Sequence, residues 1–496
     1  MGNVASKVVN AASLVNDKSN IKLGLGALTM LVVGSMIGSA IFSLPQTMSS
    51  GSGPVGILLG WAVSIVGMLM LVMVFHNLSR RRKDIDDGIY GYARVGFGHY
   101  MGFNAAWGHG VADAVGNGAY LVIIFSALGA FPSLRFFGEG NSLPALLGAS
   151  ALLWTITFLV LKGVKTSTYL NNITTVAKML PLVIFGVVAL LAFNGATFKL
   201  DFLGEARHLS LFDQVRSVMM VTVWAFIGCE SATIFASRAK NLDDVAKASV
   251  LGFLVAAALL VTVSVLSLGI LPADESAHLH NPSLAGVLEH IVGPWGGALV
   301  NICLILTVLG ALLAWIMLSS EEIYLAGRGK TADPAMAVLN KHGAPKNALF
   351  LTSCITQMMV FMAYKYHAGY LTLFSFATSL VLIPYLLTAL FQIRITLGTA
   401  CGDTYSGEHS HHRNKDLVFG LLAAGYCLWL IYAAGLKFIL LGMVLYLPGM
   451  FIFLRGQKFY RRQPFSAGEK IVAAVVIGGS VLAICGVAMG WLTTTR

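Results

Sequence analysis

The stretch GSMIGSAIFSLPQ, residues 34–46, lies inside the first long apolar run of this chain. A helix that only had to cross a bilayer would be built of Leu, Ile, Val and Ala. This one carries Gly34, Ser35, Gly38 and Ser39 close together and then Pro45. Glycine and proline both weaken a helix. Two readings are open. The small residues form a face on which another helix packs closely, or the helix breaks within the membrane. A break frees backbone N–H and C=O groups, which is tolerated only where they line a cavity or meet a ligand. The second half-helix then offers N–H groups and a positive dipole end to an anion such as a carboxylate. Freed carbonyls can receive an ammonium. One broken helix therefore fits the head of a zwitterion.

The rest of the chain says that this run is one of many. Hydrophobic residues make up 57% of the 496 residues, charged residues 11%, and the mean hydropathy is +0.78. A soluble domain is about 25% charged, so such a chain has no surface to show to water. Transmembrane barrels read as weak alternation, whereas the runs here are long and continuous. The fold class expected is all-α and polytopic. At about 20 apolar residues per crossing, thirteen spans are expected, at 23–46, 54–78, 100–131, 143–162, 172–195, 213–237, 248–271, 286–319, 348–365, 369–393, 416–434, 437–455 and 469–491.

The formal net charge of +11 does not imply a nucleic-acid partner, because most basic residues sit in short gaps between apolar runs, as topology signals do. Every even-numbered exit is basic: SRRRKDIDD after the second run, KGVK after the fourth, SRAKNLDDVAK after the sixth. The N-terminus is then cytoplasmic, and an odd span count puts Arg496 outside. The six cysteines form no CxxC pair, so neither a disulfide framework nor a zinc site is expected. No cleavable signal peptide is visible. MGNVAS fits the N-myristoylation pattern at Gly2 and Ser6, a pattern short enough to arise by chance. AGRGKT ends like a phosphate loop, but Tyr324 stands where the first glycine is needed. His409, His411 and His412 read as a solvated loop. No metal centre and no cofactor is expected.

Ionisable residues at membrane depth are costly, by about 2.5–3.5 kcal/mol at a helix centre, and are functional candidates by default. Asp113, Lys178 and Glu230 stand out. Glu321 and Glu322 lie near the end of the eighth span, where interfacial placement is expected for at least one. The sixth span, VTVWAFIGCESATIFAS, is interrupted by Gly228 and Glu230 five spans after the first interruption. That spacing is what inverted repeats produce, and it favours the broken-helix reading. His109, Asp113 and Asn117 are four apart and share one helix face. Asp113 either meets a cationic ligand or pairs internally with His109.

These residues resemble a known family. GSMIGSAIFSLP, WAFIGCESA and the LKGVKTS…NNITTVAKMLPL region are similar to the amino acid–polyamine–organocation superfamily, and within it to the basic amino acid antiporters, especially arginine–ornithine exchangers. DGIYGYARVGFGHYMGFNAAWG and GALLAWIMLSSEE extend the likeness over nearly the whole chain. The resemblance implies a LeuT-type fold. A cytoplasmic segment (1–22) would precede two inverted five-helix repeats (23–195 and 213–393). A cytoplasmic loop (394–415) and C-terminal helices (416–491) would follow. It implies that Gly38, Ser39 and Ala40 hold the substrate carboxylate, and that carbonyls of Met36, Trp224 and Ile227 receive the amino group. Trp224 and Glu230 would act in gating, Trp315 would stack on the substrate, and Lys178 would stand where sodium-coupled relatives hold an ion. Asn117 and Thr378 complete the substrate-binding set. Three departures from the family pattern stand out: Ala40 replaces a usual glycine, His109 stands where relatives often carry a gating tyrosine, and Asp113 stands at a position that is often small and neutral.

The function implied is exchange of a cationic amino acid for a related amino acid or its amine product, by alternating access in a bacterial inner membrane. The substrates are small amino acids, the surroundings a lipid bilayer, and homodimers occur in the family. Such a protein is not an enzyme. The alternatives are a proton-coupled symporter or uniporter, exchange of lysine for cadaverine, histidine for histamine or arginine for agmatine, and a non-transporting sensor.

Overall fold

The computed structural model describes residues 24–85, 87–163, 168–229, 242–398 and 412–492. MGNVAS, Glu230, His409 and His411 lie outside the described residues. Helices α1 (Leu25–Met36) and α2 (Ala40–Ser49) meet at a 46° bend. They are followed by α3 (Pro54–Arg81), α4 (Gly88–Phe97), α5 (His99–Gly129), α6 (Leu143–Leu161), α7 (Thr168–Ala192) and α8 (Leu211–Phe226). Then come α9 (Leu242–Leu268), α10 (Ser283–Val292), α11 (Pro294–Arg328), α12 (Lys346–Lys365), α13 (Tyr370–Thr396), α14 (Arg413–Phe459) and α15 (Ala467–Ala488). Among the described residues nine helices are long and apolar enough to cross a bilayer, and ten with the bent α1–α2 pair. The protein is an all-α polytopic membrane protein.

Two features refine the expected spans. Helix α14 has 47 residues, about 70 Å at 1.5 Å per residue, more than twice a bilayer core. It bends where Gly435 leaves the helix with φ 78°, between the two expected spans 416–434 and 437–455. The eighth span does not start at residue 286. Gly293, at φ +87°, ends α10 and Pro294 opens α11. Proline disfavours a helical residue before it, and a glycine with positive φ is the usual helix stop. With α14 counted as two and α7 and α8 added, each expected run has a helix among the described residues, while α4 matches no run and α10 is a separate helix at the start of the expected eighth.

Helix α5 is buried along nearly its whole length and packs chiefly on α11, α13, α4 and α12. Its small residues permit this. A Cβ at Gly110 would stand 2.9 Å from the Ser319 carbonyl oxygen, so α5 and α11 approach nearly backbone to backbone. The outward faces are apolar, with Val66, Leu147, Leu191, Leu436 and Ile471 exposed. In lipid such faces need no protein partner, and packing rather than hydrophobic burial holds the helices together.

Polar contacts gather at the ends. Arg328 pairs with Asp87, joining α11 to the start of α4. Arg81 pairs with Asp416 at 2.7 Å, joining α3 to α14. The AGRGKT segment has a packing role here: Thr331 Oγ1 donates to the Ala326 carbonyl (3.0 Å) and lies 3.1 Å from the Tyr90 hydroxyl.

Candidate substrate site

The site begins with the two interruptions. Ile37 leaves the helix at φ −77° and ψ 90°. Its N–H still reaches Val33 (2.9 Å), while the Gly38 N–H turns back to the Met36 carbonyl at 3.0 Å. The first turn of α2 starts immediately after, so its N–H groups face the gap. Across the gap α8 stops at Phe226, and Gly228 adopts φ +100°. A Cβ at Gly228 would lie 3.0 Å from the Ser35 carbonyl oxygen. The position therefore demands glycine twice, for its backbone angle and for space. Ser35 Oγ donates to the Gly228 carbonyl at 3.2 Å. The two breaks, distant in sequence, are in direct contact.

A cavity lies at this junction. The α1–α2 break contributes Ser35, Met36, Gly38, Ser39 and Ala40 to its wall. Helix α5 contributes Asp113, Gly116, Asn117 and Tyr120; Trp224, Ile227 and Trp315 complete it. The free volume is only about 20 Å³, close to what one water requires. The side chains have closed around the site, and an amino acid enters only if some of them move.

Tyr370, at the start of α13, props this closure. Its hydroxyl lies 2.9 Å from Ser39 Oγ and accepts the Trp224 indole N–H at 3.1 Å. The Trp224 ring meets Tyr120 edge-on at 6.0 Å and Phe374 at 5.9 Å. A Cβ on Gly116 would approach the indole to 2.8 Å. The indole is thus held by a hydrogen bond and by packing from α5 and α13. Asn117 is 1% exposed, and neither of its amide atoms has a hydrogen-bond partner among the described residues. A buried unpaired amide is costly, and this one lies on the cavity wall.

Of the residues singled out from the sequence, Met36, Gly38, Ser39, Ala40, Asp113, Asn117, Trp224, Ile227 and Trp315 line the cavity. Thr378 does not. It is buried on α13 with its hydroxyl bonded to the Phe374 carbonyl of its own helix at 2.8 Å. Lys178 also lies off the wall; its ammonium donates to the Gly34 carbonyl at 2.5 Å, tethering α7 to the end of α1. His109 stands behind the wall. Its Nδ1 is 3.6 Å from Asp113 Oδ2 and 3.7 Å from Glu322 Oε1. The two glutamates diverge: Glu321 is exposed, whereas Glu322 turns inward. The sequence reading missed Gly116 and Tyr120, although both continue the face of His109, Asp113 and Asn117. Ser35 was singled out only as part of the first interruption; Tyr370 was missed, and nothing local to residue 370 signals its role.

Fold and cavity together define a polytopic helical membrane protein built around a small central site between two interlocked helix breaks. The chain matches the amino acid permease family over residues 23–396 and belongs to that family. It is 42% identical over 488 residues to an arginine/ornithine antiporter of Pseudomonas aeruginosa, covering 97% of this chain and all of the relative. It is 39% identical over 464 residues to a putative arginine/ornithine antiporter of Escherichia coli, covering 92% and 98%. It is 37% identical over 468 residues to an arginine/agmatine antiporter of Chlamydia abortus, covering 93% and 95%.

Proposed function

We propose that this protein exchanges a cationic amino acid for a related amino acid or its amine product, in the manner of arginine/ornithine antiport. The observation that carries the reading is the composition of the cavity wall. One side is a helix break with free N–H groups, suited to a carboxylate. The other side is Asp113, suited to a positive side chain. The relatives named for arginine, ornithine and agmatine support the same class of solute.

The substrate carboxylate meets the N–H groups of Ser39 and Ala40. Its amino group meets the Met36, Trp224 and Ile227 carbonyls, which retain acceptor capacity because a carbonyl has two lone pairs. The side chain runs between Trp224 and Trp315 toward Asp113, with Asn117 beside it. Trp224 and Tyr370 move for the solute to enter, and Glu230, which lies outside the described residues, acts in the same gate. The helices form two five-helix repeats of inverted topology, at 23–195 and 213–393. Rocking of one group of helices against the other exposes the site to alternate faces. The protein sits in a bacterial inner membrane with its N-terminus in the cytoplasm, a reading supported by the basic even-numbered loops.

The test is uptake of radiolabelled arginine into proteoliposomes that are empty or loaded with ornithine, agmatine, lysine or histidine. Uptake confined to loaded vesicles is expected, and the most effective load identifies the exchange partner. Uptake into empty vesicles that rises with an inward proton gradient would replace exchange by symport.

A further inference from the structure

Helices α6 and α12 lie side by side and are clasped by polar contacts. The Trp154 indole N–H donates to Gln357 Oε1 at 3.1 Å, the Gln357 amide N–H donates to Ser150 Oγ at 2.8 Å, and the Thr157 and Ser353 hydroxyls are 2.9 Å apart. Asn340 straps the loop before α12 to the end of α6, its amide N–H donating to the Leu161 carbonyl at 2.7 Å. Beside this clasp lies a groove with a free volume of about 360 Å³. Leu161, Phe350, Leu351 and Cys354 form its apolar wall, and Lys346 and Asn347 stand at the end where α12 begins. Asn347, Leu351 and Cys354 recur at helical spacing, so the groove descends about 12 Å along α12 from Lys346.

The surroundings define the occupant. Phe158 and Phe350 are exposed on these two helices, and in a bilayer such faces meet acyl chains. An apolar chain therefore reaches the groove from the side. The entrance is cationic. Lys162 follows the last residue of α6, Lys341 lies in the strap and Lys346 opens α12; all three are exposed, and none makes an ion pair among the described residues. Neither 143–172 nor 334–365 contains an Asp or a Glu. Asp333, just outside, is paired with Arg455 at 2.9 Å. Lysines at a membrane surface attract negative headgroups, whereas a zwitterionic headgroup brings its own positive charge against them.

We propose that the groove between α6 and α12 binds an anionic phospholipid of the cytoplasmic leaflet, with one acyl chain along Leu161, Leu351 and Cys354 and the headgroup phosphate at Lys346 and Lys162. No bond is made or broken. The site is separate from the solute cavity, and α12 joins the two. Thr356 Oγ1 donates to the Ala114 carbonyl of α5 at 2.8 Å, and a Cβ on Gly118 would stand 3.0 Å from the Met359 side chain. The lipid thus braces the helix that backs the cavity wall.

The experiment is photocrosslinking of the full chain reconstituted in phosphatidylcholine vesicles. The probe is phosphatidylglycerol with a diazirine partway along one acyl chain, and the control is phosphatidylcholine with the same chain. Labelled peptides are mapped by mass spectrometry. Labelling of 153–163 and 346–357 is expected, stronger with the glycerol probe by about tenfold, since each nearby lysine is worth about fivefold. The double variant Lys162→Gln, Lys346→Gln should fall to the phosphatidylcholine level, and Lys162→Arg, Lys346→Arg should keep the preference. Both pairs lie on the surface, and thermal midpoints check that the variants are folded. Equal labelling by the two probes, labelling confined to other segments, or a preference unchanged in the Gln variant overturns the inference. Loss of labelling in excess inorganic phosphate also overturns it, by showing that the lysines hold a free anion and not a lipid.

Discussion

Asp113→Asn separates charge from shape. Asparagine keeps the volume of the side chain and one carbonyl acceptor, and it removes the negative charge from the cavity wall. At about 4 Å and an effective dielectric of about 20, a full ion pair is worth about 4 kcal/mol. Asp113 does not offer all of that to a substrate, because His109 at 3.6 Å already claims part of its field. The remainder falls near the 1.5–3 kcal/mol, roughly, of a hydrogen bond to a charged group. That corresponds to a weakening of about 10- to 150-fold in Kd for arginine. Citrulline has nearly the same shape without the charge, and its affinity should stay within about threefold, since uncharged contacts of the amide persist. His109 keeps Glu322 as a neighbour in the variant, so the fold should survive. The assay is equilibrium binding of both ligands to purified protein, with thermal midpoints as a control. An equal loss for arginine and citrulline would show that Asp113 supports the architecture and does not read the charge of the solute.

Three further substitutions probe the frame around the site. Gly228→Ala places a Cβ at φ +100° and 3.0 Å from the Ser35 carbonyl oxygen; a left-handed L-residue alone costs about 1–2 kcal/mol, so the thermal midpoint should fall, and an unchanged midpoint would mean that the two breaks are not in contact. Tyr370→Phe removes the group shared by Ser39 and Trp224, each bond being worth about 0.5–1.5 kcal/mol. A double-mutant cycle with Trp224→Phe should show a coupling near 1 kcal/mol, and strictly additive effects would rule out the strut. Lys178→Met leaves the Gly34 carbonyl without its ammonium, at a cost of about 1–3 kcal/mol. Stability should drop while the pH profile of exchange keeps its shape, and a flattened profile would instead make Lys178 a titrating part of the transport cycle.

The membrane writes its demands into local sequence, and that is why so much of this protein can be read there. A span needs about 20 apolar residues, so the runs were visible, including the pair on either side of Gly435. Backbone groups cannot be left bare in lipid, so Gly38 and Gly228 marked the interruptions before their geometry was known, whereas Gly34 stays inside α1 and Pro45 inside α2. Spacing by four placed His109, Asp113 and Asn117 on one face, because helical periodicity is a property of the segment itself. The start of α11 was misplaced by the same logic: residues 286–292 are helical and mostly apolar, and the Gly293 conformation and Pro294 separate them from the span.

The contacts that make the site work belong to another level. Ser39 and Tyr370 are 331 positions apart, and Lys178 is 144 positions from Gly34. Nothing near residue 370 announces that its hydroxyl will meet both Ser39 and Trp224. Adjacent glutamates at 321 and 322 are chemically alike, and the rotation of α11 against α5 turns one outward and the other to His109. That rotation follows from how closely two backbones approach at Gly110 and Ser319, a fit of surfaces from distant parts of the chain. Sequence by itself determined where helices run and where they break, since both obey rules local to a segment. Tertiary structure alone decided which polar groups share the closed cavity, because that depends on the relative rotation and depth of helices packed against one another.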